Sequence, residues 1–241
     1  MRYFTVPGRL VELLEELLEH ASFLEQVEVD FKSSPDDNAR PLLLREHPFE
    51  ALRMLTIRLE PDEEVAGDAA FFESLPHGIE AHSSLLELCF FDIPLQRGHV
   101  FSALAAASLH IADITLSSCN LNLSSVPGLV HLVDAGTLSK LFIYNADIAM
   151  FDEAGARAFA KAVRDNKTLT QFFFHGVRLW VREMVVSVLS RLSLTWLRML
   201  ALQDVLATGQ AVVEALVAHP TLNILSLGPN EVADAHRRVV G

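Results

Sequence analysis

Apolar residues recur along the chain as apolar-x-x-apolar-x-apolar. The spacing stands at Leu85/Leu88/Phe90, Ile111/Ile114/Leu116, Leu138/Leu141/Ile143, Leu169/Phe172/Phe174, Leu197/Leu200/Leu202 and Leu222/Leu225/Leu227, with weaker copies at Leu24/Val27/Val29 and Leu52/Leu55/Ile57. The first members lie 25 to 33 residues apart. Half of all residues are apolar, so one copy carries little weight, whereas eight in order at near-constant spacing define a repeat. The last three places of each copy alternate, as residues of a strand do when successive side chains point to opposite faces.

Between the copies the period changes to that of a helix, as in Phe159–Val163 of "DEAGARAFAKAVRDNKT" and Val212–Val213–Leu216–Val217 of "TGQAVVEALVAHPT". Asp152 and Thr208 are suited to cap the helix starts, and Asn166–Lys167 and Pro220 mark the ends. Each unit therefore reads as strand, turn, helix, turn, an α/β class. Residues 8–22, "GRLVELLEELLEHAS", place five leucines at helical spacing with four glutamates largely opposite. They predict an amphipathic N-terminal capping helix, so that residues 1–22 form a cap, 23–235 about eight repeats and 236–241 a short C-terminal tail. The last strand is followed only by "PNEVADAHRRVVG". Either that segment covers the sheet edge, or the chain is part of something longer, or another subunit pairs there. The polar stretches 32–41 and 59–68 read as solvated insertions.

The clearest copies, "LTQFFFHGVRL", "IADITLSSCNL" and "LNILSLGPNEV", resemble leucine-rich repeats of the long ribonuclease-inhibitor-like subtype. The resemblance implies a horseshoe solenoid with a parallel sheet on its concave face and helices on its convex face. It also implies a non-enzymatic module that binds a protein or peptide through the concave sheet. Repeats of this kind also serve as adaptor or regulatory subunits, in ubiquitin-ligase substrate recognition or GTPase regulation; an enzyme assembled from several repeats is the remaining alternative. The family's turn position, usually Asn or Cys, is kept at Cys119 and Asn230. Ile93, Ala146, Val177 and Val205 replace it elsewhere, so those turns need another source of backbone partners.

In that register the fifth and seventh places of each unit face the concavity. They include Phe91, Phe142, Tyr144 and Phe173, with His175 beside them, although the chain has only 15 Phe, 2 Tyr and 2 Trp. Clustered rings on a solvent-directed face are the residues expected to anchor a partner. Glu87, Asp113, Lys140 and Gln171, at the third places, would form a polar rim.

Charge and chemistry narrow the function further. With 31 acidic against 19 basic residues and a formal net charge of −12, the chain is unsuited to nucleic acid and better matched to a basic protein partner. Val100–Leu116 is interrupted by His110 and Asp113, which argues against a membrane span, and the glutamates of 9–20 argue against a secretory signal. A cytoplasmic location is expected. Cys89 and Cys119 form no CxxC pair and read as free thiols. His77 and His82 lie five apart without further ligand spacing, and no phosphate loop, nucleophile elbow or dense metal set is present. No cofactor and no catalytic residue is expected.

Overall fold

The computed structural model describes residues 3–7, 24–31, 51–59, 76–77, 79, 82–93, 95, 99–106, 110–144, 152–175, 199–203 and 224–226. Among these, nine strands form a single sheet: β1 (Tyr3–Pro7), β2 (Gln26–Phe31), β3 (Met54–Leu59), β4 (Glu87–Phe91), β5 (Asp113–Ser117), β6 (Lys140–Tyr144), β7 (Gln171–His175), β8 (Met199–Gln203) and β9 (Ile224–Ser226). All neighbours are parallel, and the order across the sheet is the order along the chain. Among the described residues the connections carry the helices α1 (His99–Ala106), α2 (Val126–Asp134) and α3 (Glu153–Asp165), and residues 76–77 and 79 are also helical. The chain is thus of the α/β class. The eight segments of the sequence pattern are β2 to β9.

The register aligns like positions. Val27, Leu55, Leu88, Ile114, Leu141, Phe172, Leu200 and Leu225 form one row across the strands, and Glu28, Thr56, Cys89, Thr115, Phe142, Phe173, Ala201 and Ser226 form the next. Alternation then divides the residues between two faces. On one face Leu88, Phe90, Ile114, Leu116, Leu141 and Ile143 are buried, together with Phe101 and Leu104 of α1, Leu129 and Val133 of α2, and Phe159 and Val163 of α3. The Phe159 and Phe172 rings, 6.2 Å apart, join α3 to that face of β7. The opposite face has no helix among the described residues packed on it, and we call it the open face.

Strand entry is repeated closely. The carbonyls of Glu25, Arg53, Leu86, Ala112 and Ser139 each accept two N–H groups from the start of the following strand, at 2.6–3.1 Å. This fork satisfies donors that an irregular connection would otherwise leave without partners. The apolar stretch 100–116 divides between α1 and β5. Among the described residues no helix is long and apolar enough to cross a membrane.

The helix ends follow their capping residues. Asp152 is extended, and its Oδ1 accepts from the Gly155 N–H at 2.6 Å, the expected N-cap. Helix α2 ends where Gly136 takes φ +73°, a left-handed conformation in which its N–H bonds to the Val133 carbonyl. At the end of α3, Asn166 does more than stop the helix. Its Nδ2 donates to the Val133 carbonyl of α2 at 2.8 Å, while its Oδ1 accepts from the N–H groups of Thr168 and Leu169 at 2.8 and 2.7 Å. Thr168 Oγ1 adds bonds to the Gly136 and Leu138 carbonyls. Asn166 is only 6% exposed, so Asn166→Ala leaves the buried Leu169 N–H and the partly buried Thr168 N–H without this acceptor and removes one of two donors from the Val133 carbonyl, which keeps the Gly136 N–H. The expected loss is about 1–3 kcal/mol, read as a lower denaturant midpoint, with Thr168→Val losing less.

Of the turns, Cys119 conforms to the family position: its thiol donates to the Phe90 and Ser117 carbonyls at 3.4 and 3.3 Å. Ile93 is buried in the preceding turn and cannot do this. There the Leu95 N–H bonds to the Cys119 carbonyl at 3.0 Å, and Ser125 Oγ donates to the Leu95 carbonyl at 2.7 Å. Backbone and a neighbouring serine supply what the missing Asn would have. Ala146, Val177, Val205 and Asn230 lie outside the described residues, as do the helix expected at 8–22, Thr208, Pro220, the insertion 32–41, most of 59–68 and the tail 236–241.

One element was not expected. β1 pairs with β2 through Tyr3↔Gln26 to Pro7↔Asp30, extending the sheet one strand beyond residue 23.

Candidate partner-binding face

Strands β4 to β7 carry the third-place residues Glu87, Asp113, Lys140 and Gln171 opposite one another, as the sequence register requires. Lys140 Nζ pairs with Asp113 Oδ2, and Ser139 Oγ donates to Asp113 Oδ1 at 3.0 Å. The hydrogen bond that Lys140 donates to Asp113 raises the Lys140 pKa. That contribution is therefore fully present below the ordinary lysine range and is lost as pH rises past it. The pair is partly solvated and contributes no more than about 1 kcal/mol. It fixes side chains more than it stabilises the fold.

Two places further on, the face turns aromatic. Phe142 meets Tyr144 edge-on at 6.3 Å and Phe173 edge-on at 6.1 Å, while Tyr144 and Phe173 lie tilted at 4.4 Å. All three are partly exposed. The rings therefore pack on each other across β6 and β7 and still present surface to solvent. Partial burial raises the Tyr144 pKa, and the nearby Cys89 adds to the shift, so the phenol stays neutral at physiological pH.

Phe91, also expected in this set, lies two strands away from Tyr144. Its neighbour is Arg58 of β3, whose guanidinium carbon stands 5.2 Å from the ring centroid and whose Nη2 is 3.5 Å from Glu28 Oε1. His175 occupies the last position of β7, opposite Gln203, and its side chain lies outside the described residues. Phe142, Tyr144 and Phe173 thus come together, with Phe91 apart and covered on one side by Arg58.

The N-terminal half of the face is more closed than alternation implies. Cys89 is 4% exposed and Thr56 7%, although both occupy fifth places. Burial pushes the Cys89 thiol up to about 11, helped by the Glu87 charge, and that of Cys119 up to about 12. The nucleophile is the thiolate, so both cysteines are inert where they sit. Alkylation by iodoacetamide at neutral pH should be slow at both in the folded protein and fast after denaturation. Rapid labelling of Cys89 in the native state would contradict this placement.

Among the described residues no three His, Cys, Asp or Glu side chains converge as a metal site. His77 is exposed and His82 buried, with the His82 N–H bonded to the Ile79 carbonyl at 3.0 Å.

Comparison with known proteins finds no matching family model and no matching curated protein. The face must be interpreted from its own chemistry. Arg58 and Glu28 belong to it and were not singled out by the pattern of rings. The available signal was a cation at the seventh place of the strand next to Phe91.

Proposed function

We propose that the chain is a leucine-rich-repeat solenoid of the ribonuclease-inhibitor-like kind, and that it binds a protein or peptide partner through the open sheet face without catalysing a reaction. Parallel strands in chain order, recurring strand-entry bonds and helices confined to the connections support the solenoid. Such an architecture buries one face of the sheet and leaves the other as an extended surface. In this reading the open face is the concave one. No cofactor takes part, the compartment is cytoplasmic, in keeping with two free cysteines, and the acidic balance favours a basic partner over nucleic acid or membrane.

The observation that carries the reading is the cluster of Phe142, Tyr144 and Phe173, three partly exposed rings in mutual contact on the open face. Rigid aromatic side chains lose little entropy on binding and dominate contact energetics. Glu87, Asp113, Lys140 and Gln171 form the rim, Phe91 extends the surface toward β3, and His175 is the partner-contact position assigned at the end of β7.

The test is selection from a displayed peptide library on the intact chain, with each enriched peptide measured again on the Phe142→Ala/Tyr144→Ala/Phe173→Ala variant. At least about thirtyfold weaker binding to a variant that still melts cooperatively is expected. Failure to enrich any peptide, or equal binding to both proteins, would refute the role.

A further inference from the structure

Between the two aromatic groups of the open face runs a strip of small side chains. Thr115 and Ser117 of β5 stand in register with Cys89 and Phe91 of β4 on one side and with Phe142 and Tyr144 of β6 on the other. Both are partly exposed. With strands about 4.8 Å apart, the backbones bearing Phe91 and Tyr144 are separated by roughly 10 Å. A planar group held between two ring faces needs about 7–8 Å, twice a carbon contact distance. A side chain laid along β5 would therefore have Phe91 on one hand, Phe142 and Tyr144 on the other, and a hydroxyl-bearing floor.

The charges around this strip are unbalanced. Arg58 is engaged by Glu28, and Lys140 by Asp113. Two further carboxylates border the strip: Glu87, two places before Cys89, and Asp92, directly after Phe91. Neither has a Lys or Arg within ion-pair distance among the described residues. Asp92 is exposed and held at φ +57°, with its N–H bonded to the Ser117 carbonyl, so it sits at the end of the strip. The face also contains an example of the chemistry: Arg58 stacks over Phe91 from the β3 side while paired with a carboxylate.

We propose that the Thr115–Ser117 strip is a subsite for an arginine of the partner, whose guanidinium lies between Phe91 and the Phe142–Tyr144 wall and pairs with Asp92, while the Glu87 carboxylate, held near the Cys89 thiol at the other end of the strip, adds longer-range attraction. This rests on the partner-binding role given to the open face above and specifies its recognition chemistry. Arginine is preferred to lysine because its planar, weakly hydrated cation stacks on rings while presenting donors at its edge.

The test uses the peptides enriched from the library, synthesised with arginine, citrulline or leucine at the same position and measured by fluorescence anisotropy on the full chain. The arginine peptide should bind at least about tenfold more tightly than its neutral citrulline isostere. Glu87→Gln/Asp92→Asn should abolish most of that difference, and Ser117→Phe, which fills the strip, should remove binding of the arginine peptide. Enriched peptides without arginine, equal binding of the citrulline form, or tighter binding of the leucine form would overturn the subsite while leaving the partner-binding role intact. A chain that self-associates and becomes monomeric with Ser117→Phe would assign the strip to a second copy, and the proposal would fall. No enrichment at all would refute the parent reading instead.

Discussion

Phe172→Ala should be among the most destabilising single substitutions in the core. Phe172 lies on the buried face of β7, fully enclosed, and contacts the equally enclosed Phe159 of α3. Truncation removes the transfer free energy of the ring and leaves a cavity that close-packed neighbours cannot fill, together about 3–5 kcal/mol. Against a total stability of about 5–15 kcal/mol this is a large share, and a chain of this length should melt roughly 10 °C lower. Thermal unfolding followed by circular dichroism reads the effect directly. A shift of only a degree or two would mean that α3 does not pack on the sheet as described.

Phe173 is the next residue and predicts the opposite behaviour. Its side chain belongs to the open face, in contact with Tyr144 and Phe142. Phe173→Ala and Tyr144→Ala should each weaken binding of a selected peptide by about 2 kcal/mol or more, a loss of roughly thirtyfold. Their stability cost is limited to the ring-to-ring contacts, about 0.5–1.5 kcal/mol beyond a modest area term. Adjacent residues on one strand, one governing melting and the other governing affinity, are a direct consequence of the two-faced sheet. Isothermal titration beside a melting curve for each variant separates the two effects. Should Phe173→Ala behave like Phe172→Ala, its ring belongs to the interior.

The parallel sheet was legible because its signal is redundant. Each strand from β2 to β9 carries apolar residues at the same three places, and a shift of one position would exchange the faces of a strand. The same signal also marks β1. Met1, Phe4 and Val6 have the repeat spacing, and Phe4 and Val6 pair with Val27 and Val29. It is obscured by a shorter step to the next copy and by the strong helical periodicity of residues 8–22. Asp152 and Asn166 announced the ends of α3 because capping depends on local chemistry, whereas the bond from Asn166 to Val133 crosses 33 residues and leaves no local trace.

The candidate face was legible only in outline. Alternation identifies which side of the sheet Phe142, Tyr144 and Phe173 occupy, yet how far each is exposed depends on neighbours from other strands. Cys89 and Thr56 illustrate the difference: alternation assigns them to the open face, yet both are buried. The same is true of charge. The sequence places Glu87, Asp113 and Lys140 in a row, but whether Lys140 neutralises Asp113 or Glu87 is decided by rotamers, and it chooses Asp113. That choice leaves the Glu87 carboxylate without a Lys or Arg partner among the described residues, the imbalance on which the proposed arginine subsite rests.

The central claim is that the open face of β4 to β7 receives the partner. It is tested most directly by titrating a library-selected peptide into protein labelled at aromatic and methyl positions and observing which nuclear magnetic resonance signals move. The account predicts that the signals of Phe142, Tyr144, Phe173 and the Thr115 methyl shift first and furthest, with those of Leu129, Val133 and Phe159 unmoved. Shifts confined to the helical side, with the three rings unaffected, would contradict it.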